Sequence, residues 1–255
     1  MSNELANALR FNGRVQDYER FRMRYPVDVL DVIREHCGLT PKYQVADIGA
    51  GTGMLAELFL DFGCPVTAVE PNAEMRAACQ PLQHRFRTMQ MVDATAEATT
   101  LAVASFDLVC VGRAFHWFDA DRALSEFRRI LRPGRWVTLV SNRRAQLGSE
   151  AATDYEQILM QHAIDYSALR GGYRRFETLD PFPGQSTFRH TIHGSEALSL
   201  EAFLGQTQSL SVAPMPGHSN YPAMQAALHN YFARWSSNGT LQLETVCEVI
   251  GWQTP

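Results

Sequence analysis

Residues 44–63 read Gln44-Val45-Ala46-Asp47-Ile48-Gly49-Ala50-Gly51-Thr52-Gly53, then MLAELFLDFG, and this stretch decides the fold class. The run ending at Ile48 has the length and apolar character of a buried strand, and a glycine-rich turn follows it. From Thr52 to Phe62 the residues Leu55, Leu58, Phe59 and Phe62 recur at helical spacing, and Gly63 stops the pattern. The same alternation continues outward. Residues 66–69 read as a second strand, Asn72 as the N-cap of a helix running to about Gln80, and residues 86–92 as a third strand. A fourth strand is expected over 106–111, and a helix over 121–131 with Leu124, Phe127, Ile130 and Leu131 on one face. Arg132-Pro133-Gly134 then interrupts the chain before a fifth strand at 136–140. Strands separated by helices of this length require a parallel sheet with helices on both faces. Such a sheet binds ligands beyond the carboxyl ends of its strands, where the strand order reverses.

After Asn142 the pattern loosens, and residues 143–185 read as an insertion carrying Tyr155, Tyr166, Tyr173, Phe176 and Phe182. Candidate strands at 188–193 and 241–250 are joined by helical stretches at 199–210 and 222–235. The chain has 255 residues, 45% hydrophobic and 20% charged, with a net charge of −4, which gives an ordinary globular core. This charge balance disfavours a dedicated nucleic-acid binder. The five cysteines show neither a CxxC pair nor an even count, so reduced, mostly buried thiols are expected. The first 26 residues carry charges throughout and no apolar signal core, and no run spans a bilayer. A soluble, cytoplasmic protein is the expectation, with no nucleic-acid or membrane partner.

The chemistry gathers at the glycine turn. Glycines let the backbone turn sharply and approach a ligand closely, and the amides of the following helix suit an anion. The spacing G-x-G-x-G is one residue shorter than the dinucleotide fingerprint. Asp47, directly before the turn, would repel a pyrophosphate and suit an ammonium group. Glu70 stands seventeen residues past Gly53, at the end of the second strand, where a carboxylate suits the two hydroxyls of a ribose. Asp93 follows the third strand, where it suits an adenine amino group.

The segments VADIGAGTG, VEPN, DATAE, FDLVCVGRAFHWFD and LRPGRWVTLV, in this order, resemble the motifs of class I S-adenosylmethionine-dependent methyltransferases. More narrowly they resemble the small-molecule group related to trans-aconitate methyltransferase, the type 11 group, over residues 11–142. The resemblance implies a Rossmann-like, seven-stranded, mostly parallel sheet with a reversed last strand, helices on both faces and an added helical cap. It implies S-adenosylmethionine as cofactor, with Asp47, Gly49, Ala50, Gly51 and Gly53 around the methionine part. Glu70 would hold the ribose, Pro71 and Asn72 would lie beside the adenine, and Asp93 and Ala94 would meet its edge. Arg113, after the fourth strand, would contact the donor. Tyr18-x3-Arg22-x2-Tyr25-Pro26 resembles the group's element that folds over the cofactor, with Met23 where that element has proline. The expected organisation is a helical lid over 1–35, a cofactor-binding core over 36–142, a substrate-side insertion over 143–187, and completion of sheet and cap over 188–255.

Ala114-Phe115-His116-Trp117-Phe118-Asp119 follows the fourth strand, on the side where this fold faces its substrate. His116 is the candidate general base for an alcohol or amine acceptor, or it packs the pocket wall together with Trp117. Arg143 and Arg144 either pair with an acceptor carboxylate or are solvated, and solvation is the expectation for these two. His190, His193 and the aromatics of 155–182 are further candidates for the acceptor pocket. The expected activity is methyl transfer to a small-molecule acceptor, at oxygen or nitrogen. Rival readings are a catalytically silent partner of the same fold, a nicotinamide-dependent oxidoreductase, and a nucleic-acid methyltransferase. The last usually carries an Asn/Asp-Pro-Pro-aromatic element where this chain has Gly-Arg-Ala-Phe-His-Trp.

Overall fold

A computed structural model describes residues 13–145, 149–167 and 179–255. Tyr173 and Phe176 lie outside the described residues. Seven strands make one sheet in the order β3-β2-β1-β4-β5-β7-β6. They are β1 (Val45–Ile48), β2 (Val66–Val69), β3 (Met89–Val92), β4 (Phe106–Gly112), β5 (Leu131–Arg144), β6 (Thr187–Leu198) and β7 (Leu241–Gln253). The pairings among β1 to β5 are parallel, and β7 runs antiparallel between β5 and β6. The sheet, its reversed last strand and the helices on both faces agree with the expected fold.

Parallel strands are buried on both faces, so they read as continuous apolar runs. Val45, Leu108 and Cys110 turn to one face, where they pack with α2 (Asp28–Cys37) and α3 (Met54–Phe62). Ala46, Ile48, Val109 and Val111 turn to the other and meet Phe127 and Ile130 of α6 (Ala120–Ile130). All five cysteines are buried and none is bridged.

Several boundaries differ from the sequence expectation, each for a local reason. Asn72 caps its helix as expected, accepting from the amides of Glu74 and Met75. That helix stops early, however, and splits into α4 (Ala73–Ala78) and α5 (Gln80–Arg85), the second carrying Pro81 in its first turn. The third strand begins only at Met89, because residues 87–88 form a turn. Arg132-Pro133-Gly134 does not precede β5 but loops out of it, because the strand already starts at Leu131. Pairing with β4 passes from Phe106↔Leu131 to Leu108↔Trp136 around Gly134, whose φ is +72°. Beyond Val140 the strand continues to Arg144 on β7 alone. Residues 143–144, expected to open an insertion, therefore belong to the sheet. The β6–β7 pair runs past the parallel strands as a long antiparallel arm.

A helical layer with its own core covers that arm. Tyr155 and Leu159 of α7 (Glu150–His162), Phe203 of α8 (Leu200–Gln208) and Met224, Leu228 and Tyr231 of α9 (Tyr221–Trp235) pack on Leu241 and Leu243. The first helix, α1 (Val15–Phe21), is fastened to this layer. A Cβ on Gly205 would stand 2.2 Å from the Phe21 ring. The Arg14 guanidinium donates to the carbonyls of Leu210 at 3.0 Å and Ala213 at 2.7 Å. Among the described residues no helix is long and apolar enough to cross a membrane.

Candidate functional site

The strand order reverses at β1, between β2 and β4, and a cleft of about 700 Å³ counted to its mouth opens beyond their carboxyl ends. The glycine turn forms its floor. Gly49 and Ala50 donate to the carbonyl of Val69 at 2.8 and 3.1 Å, which ties the turn to β2. Gly49 has φ +70°, and a Cβ there would stand 2.6 Å from that of Ala114, so the close approach of the β4 loop demands glycine. Gly51 has φ +58° and nothing within 4 Å of where a Cβ would be. That open space faces the cleft. Gly53 stands behind the turn and caps α3 in a left-handed conformation.

Glu70 lines the cleft with both carboxylate oxygens already oriented. One accepts from the amide of Gly51 and the other from that of Asn72, each at 2.9 Å. Burial raises its pKa, and the two amides oppose that rise. Pro71 lines the cleft beside it. Asp47, fully buried, lies behind the turn, and neither carboxylate oxygen reaches a hydrogen-bond partner with good geometry. Burial pushes its pKa up to about 7; the amide of Ala56 works against the shift and the charge of Glu70 adds to it. Near pH 7 the carboxyl is therefore only partly ionised, and although Asp47 does not line the cleft, a cation close by would favour its charged form. An open glycine cradle, a preorganised carboxylate and an orphaned acid together fit a nucleoside that carries positive charge.

Asp93 is placed differently from its neighbours in the motif. Its side chain is 68% exposed and pairs at 2.6 Å with Arg76, which also donates to the carbonyl of Glu70. Neither Asp93 nor Ala94 lines the cleft; Thr95, Ala96 and Glu97 do. Glu97 also accepts from the amide of Asp119 at the start of α6. Reading the acid at the strand end passed over these three, although they lie in the same DATAE segment. Tyr25, the last tyrosine of the element expected to fold over the cofactor, stands at the end of β4. Its phenol packs so tightly on Gly112 that a Cβ there would stand 2.5 Å from the hydroxyl, and burial holds its pKa well above the usual value.

Tyr18 and Trp117 line the first cleft, whereas Arg22 and Arg143 line a second, larger cavity of about 2870 Å³ counted to its mouth. Arg22 lies over the Tyr18 ring, 5.0 Å from its centroid, so this pair bridges the two spaces. Arg113 lines both. It holds the left-handed conformation, φ +55°, that non-glycine residues rarely adopt, with its amide tied to the carbonyl of Val140. The second cavity lies between β5, the β6–β7 arm and the helical layer. Among its described lining residues are the arginines at 22, 113, 143, 144 and 189 and the glutamates at 156, 244 and 248. Subtracting three negative charges from five positive ones leaves this lining with an excess of two positive charges. His193 belongs to it and His190 does not. Tyr155 and Tyr166 line it too, whereas Phe182 is buried in the core beneath the sheet.

His116 sits in a short 3₁₀ turn, Phe115–Trp117, its ring 4.4 Å from that of Trp117. Burial pushes its pKa down to about 3, and the charges of Arg113 and Arg22 push the same way. The imidazole is therefore neutral throughout the neutral pH range.

The fold and this cleft define an α/β domain that binds a nucleoside at the switch point of its sheet. Residues 46–139 match the family described as methyltransferase domain. The chain is similar to an uncharacterised methyltransferase of Mycobacterium tuberculosis, 38% identical over 141 residues, which are 54% of this chain and 54% of that protein. It is also similar to a malonyl-(acyl-carrier protein) O-methyltransferase of Enterobacter lignolyticus, 31% identical over 62% of this chain and 66% of that protein. The chain spans about half the length of the first curated relatives it matches. Among solved structures, one described as a type II methyltransferase of Anaeromyxobacter dehalogenans superposes with a TM-score of 0.66 at 23% identity, covering 92% of this chain and 97% of that one. That likeness shows the fold. Over residues 46–139 the chain therefore matches a methyltransferase domain, and that match together with the fold supports S-adenosylmethionine as its cofactor.

Proposed function

We propose that the chain is an S-adenosylmethionine-dependent methyltransferase that methylates a small molecule, at oxygen or nitrogen, by in-line displacement. We place it with the type 11 small-molecule group. The observation that carries the reading is Arg113, a residue that lines both the nucleoside cleft and the second cavity. The two spaces therefore meet at the end of β4. Tyr18, Asp47, the glycine turn, Glu70, Pro71 and Arg113 would hold the cofactor, while Arg22 closes over Tyr18. When bound, S-adenosylmethionine supplies a methyl group already activated on a sulfonium. What remains for the protein is to orient the acceptor and exclude water, and such positioning is worth about 7–11 kcal/mol at its best.

His116 lines neither the cleft nor the second cavity, so it fits a packing residue behind Trp117 better than a base. With its pKa lowered to about 3, its imidazolium is a strong acid, and the neutral ring has little drive to take a proton. The methyl-transfer reading is tested by incubating the chain with isotopically labelled S-adenosylmethionine and a pool of small carboxylates, phenols and amines. Label in an acceptor supports it; donor binding with no labelled product supports a silent partner of the same fold. In that assay His116→Ala is expected to lower turnover less than about tenfold, whereas a loss of about 10²–10⁴ would identify a proton acceptor.

A further inference from the structure

We propose that the second cavity receives an elongated acceptor carrying an anionic group, a carboxylate or a phosphate, which docks on Arg144 and Tyr231 and is not itself methylated. This rests on the methyl-transfer reading of the same two cavities. Arg144 was expected to be solvated, yet it is half-buried in the cavity wall. Its guanidinium lies over the ring of Tyr155, 4.2 Å from the centroid, and 5.4 Å from that of Phe203. Nε and Nη2 both donate to Oε1 of Gln206, at 3.1 and 2.6 Å. Gln206 is oriented in turn by Glu196, which accepts from its Nε2 at 2.8 Å. Two aromatic faces and one amide thus fix the plane of the fork.

Those contacts account for one edge of the guanidinium only. Nη1 is shielded from water and has no hydrogen-bond partner, and the same holds for the hydroxyl of Tyr231, which lies within electrostatic reach of Arg144. Both residues line the cavity. Two buried donors without acceptors are costly; a side-chain shift that opens them to the cavity would let a ligand oxyanion accept from both and remove that cost. Arg143 and Arg189 are less suited, since both turn to Glu248, at 3.3 and 3.7 Å. The positive excess of the lining favours an anion as well.

Position separates this handle from the reacting end. Arg113 is tied to Val140, and Arg144 stands four residues further along β5, about 13 Å at strand rise. Arg144 does not line the nucleoside cleft. The anionic group and the methyl-accepting atom therefore belong to different ends of the acceptor.

Calorimetric titration with 3-phenylpropionate, phenyl phosphate and the neutral 3-phenylpropanamide tests the handle without any turnover. Wild-type chain is expected to bind the two anions and to bind the amide more weakly. Arg144→Met should weaken the anions about tenfold or more while leaving the amide unchanged. Tyr231→Phe, which keeps the ring and its packing, should weaken the anions several-fold. S-adenosylmethionine affinity, measured on the same samples, is expected to be unchanged in both variants and shows that they are folded. Equal affinity for acid and amide, no binding of either anion at millimolar concentration, or anion binding indifferent to both substitutions overturns the proposal. Loss of S-adenosylmethionine binding by the wild-type chain would instead overturn the donor reading. Unequal responses of carboxylate and phosphate to Arg144→Met identify which of the two the handle prefers.

Discussion

Asp47→Asn is expected to stabilise the ligand-free chain at pH 8 and to weaken its hold on S-adenosylmethionine. The carboxyl is fully buried without a well-placed partner, and burial raises its pKa from an ordinary value near 4 to about 7. A folded-state pKa above the unfolded one means that the folded chain binds the proton more tightly. Below the unfolded value the acid is protonated in both states and costs nothing. As the pH rises from about 4 to about 7, the folded chain loses stability relative to the unfolded one, and above 7 the loss is complete. Three pKa units correspond to roughly 4 kcal/mol. Asparagine keeps the shape and abolishes the charge, so most of that loss should be recovered at pH 8 and none at pH 4. Denaturant unfolding of both chains at the two pH values measures it. Equal stability at pH 8 would mean that the carboxylate is better solvated than its surroundings suggest. The same substitution removes the negative charge offered to a cationic ligand, so stability and affinity should move in opposite directions.

Glu70→Ala is expected to weaken S-adenosylmethionine by about 1.5–3 kcal/mol, roughly 10- to 150-fold in dissociation constant. Its two oxygens accept from the amides of Gly51 and Asn72, so the carboxylate is fixed against the glycine turn before any ligand arrives. Removing it takes away the proposed ribose acceptor and leaves the two amides without their partner. Glu70→Gln retains one acceptor oxygen and should fall between the wild-type chain and the alanine variant. Calorimetry measures all three; an unchanged constant for Glu70→Ala would remove this residue from the site.

Much of the parallel half of the sheet was legible because its strands are buried on both faces and so announce themselves as apolar runs. The offsets from Gly49 to Glu70 were legible for a related reason: both residues lie just past strand ends that register side by side, Ile48 opposite Val69. The placement of Asp93 was not. Its partner Arg76 comes from a helix seventeen residues earlier, and no local pattern encodes that pairing. The far ends of β5 and β6 were missed for a different reason: residues 141–144 and 194–198 pair only with β7, beyond the parallel strands, where β6 is largely exposed and the hydrophobic signal fades. β7 was missed at its other end, residues 251–253, which pair with Trp136, Val137 and Thr138 of β5. Arg144 followed from the shortening of β5. Once the strand is seen to continue, the residue falls against Tyr155 of the next helix and against Phe203, which is far away in the sequence. The orphaned oxygens of Asp47 belong to the same class of feature, since burial by neighbouring elements is a property of the assembled fold.

The most direct measurement is a calorimetric titration of the wild-type chain with S-adenosylmethionine and, separately, with NAD. One saturable site for the sulfonium nucleoside and none for the dinucleotide is the predicted result. Binding of NAD with no response to S-adenosylmethionine would contradict the assignment of Gly51, Glu70 and Asp47 to a methyl donor.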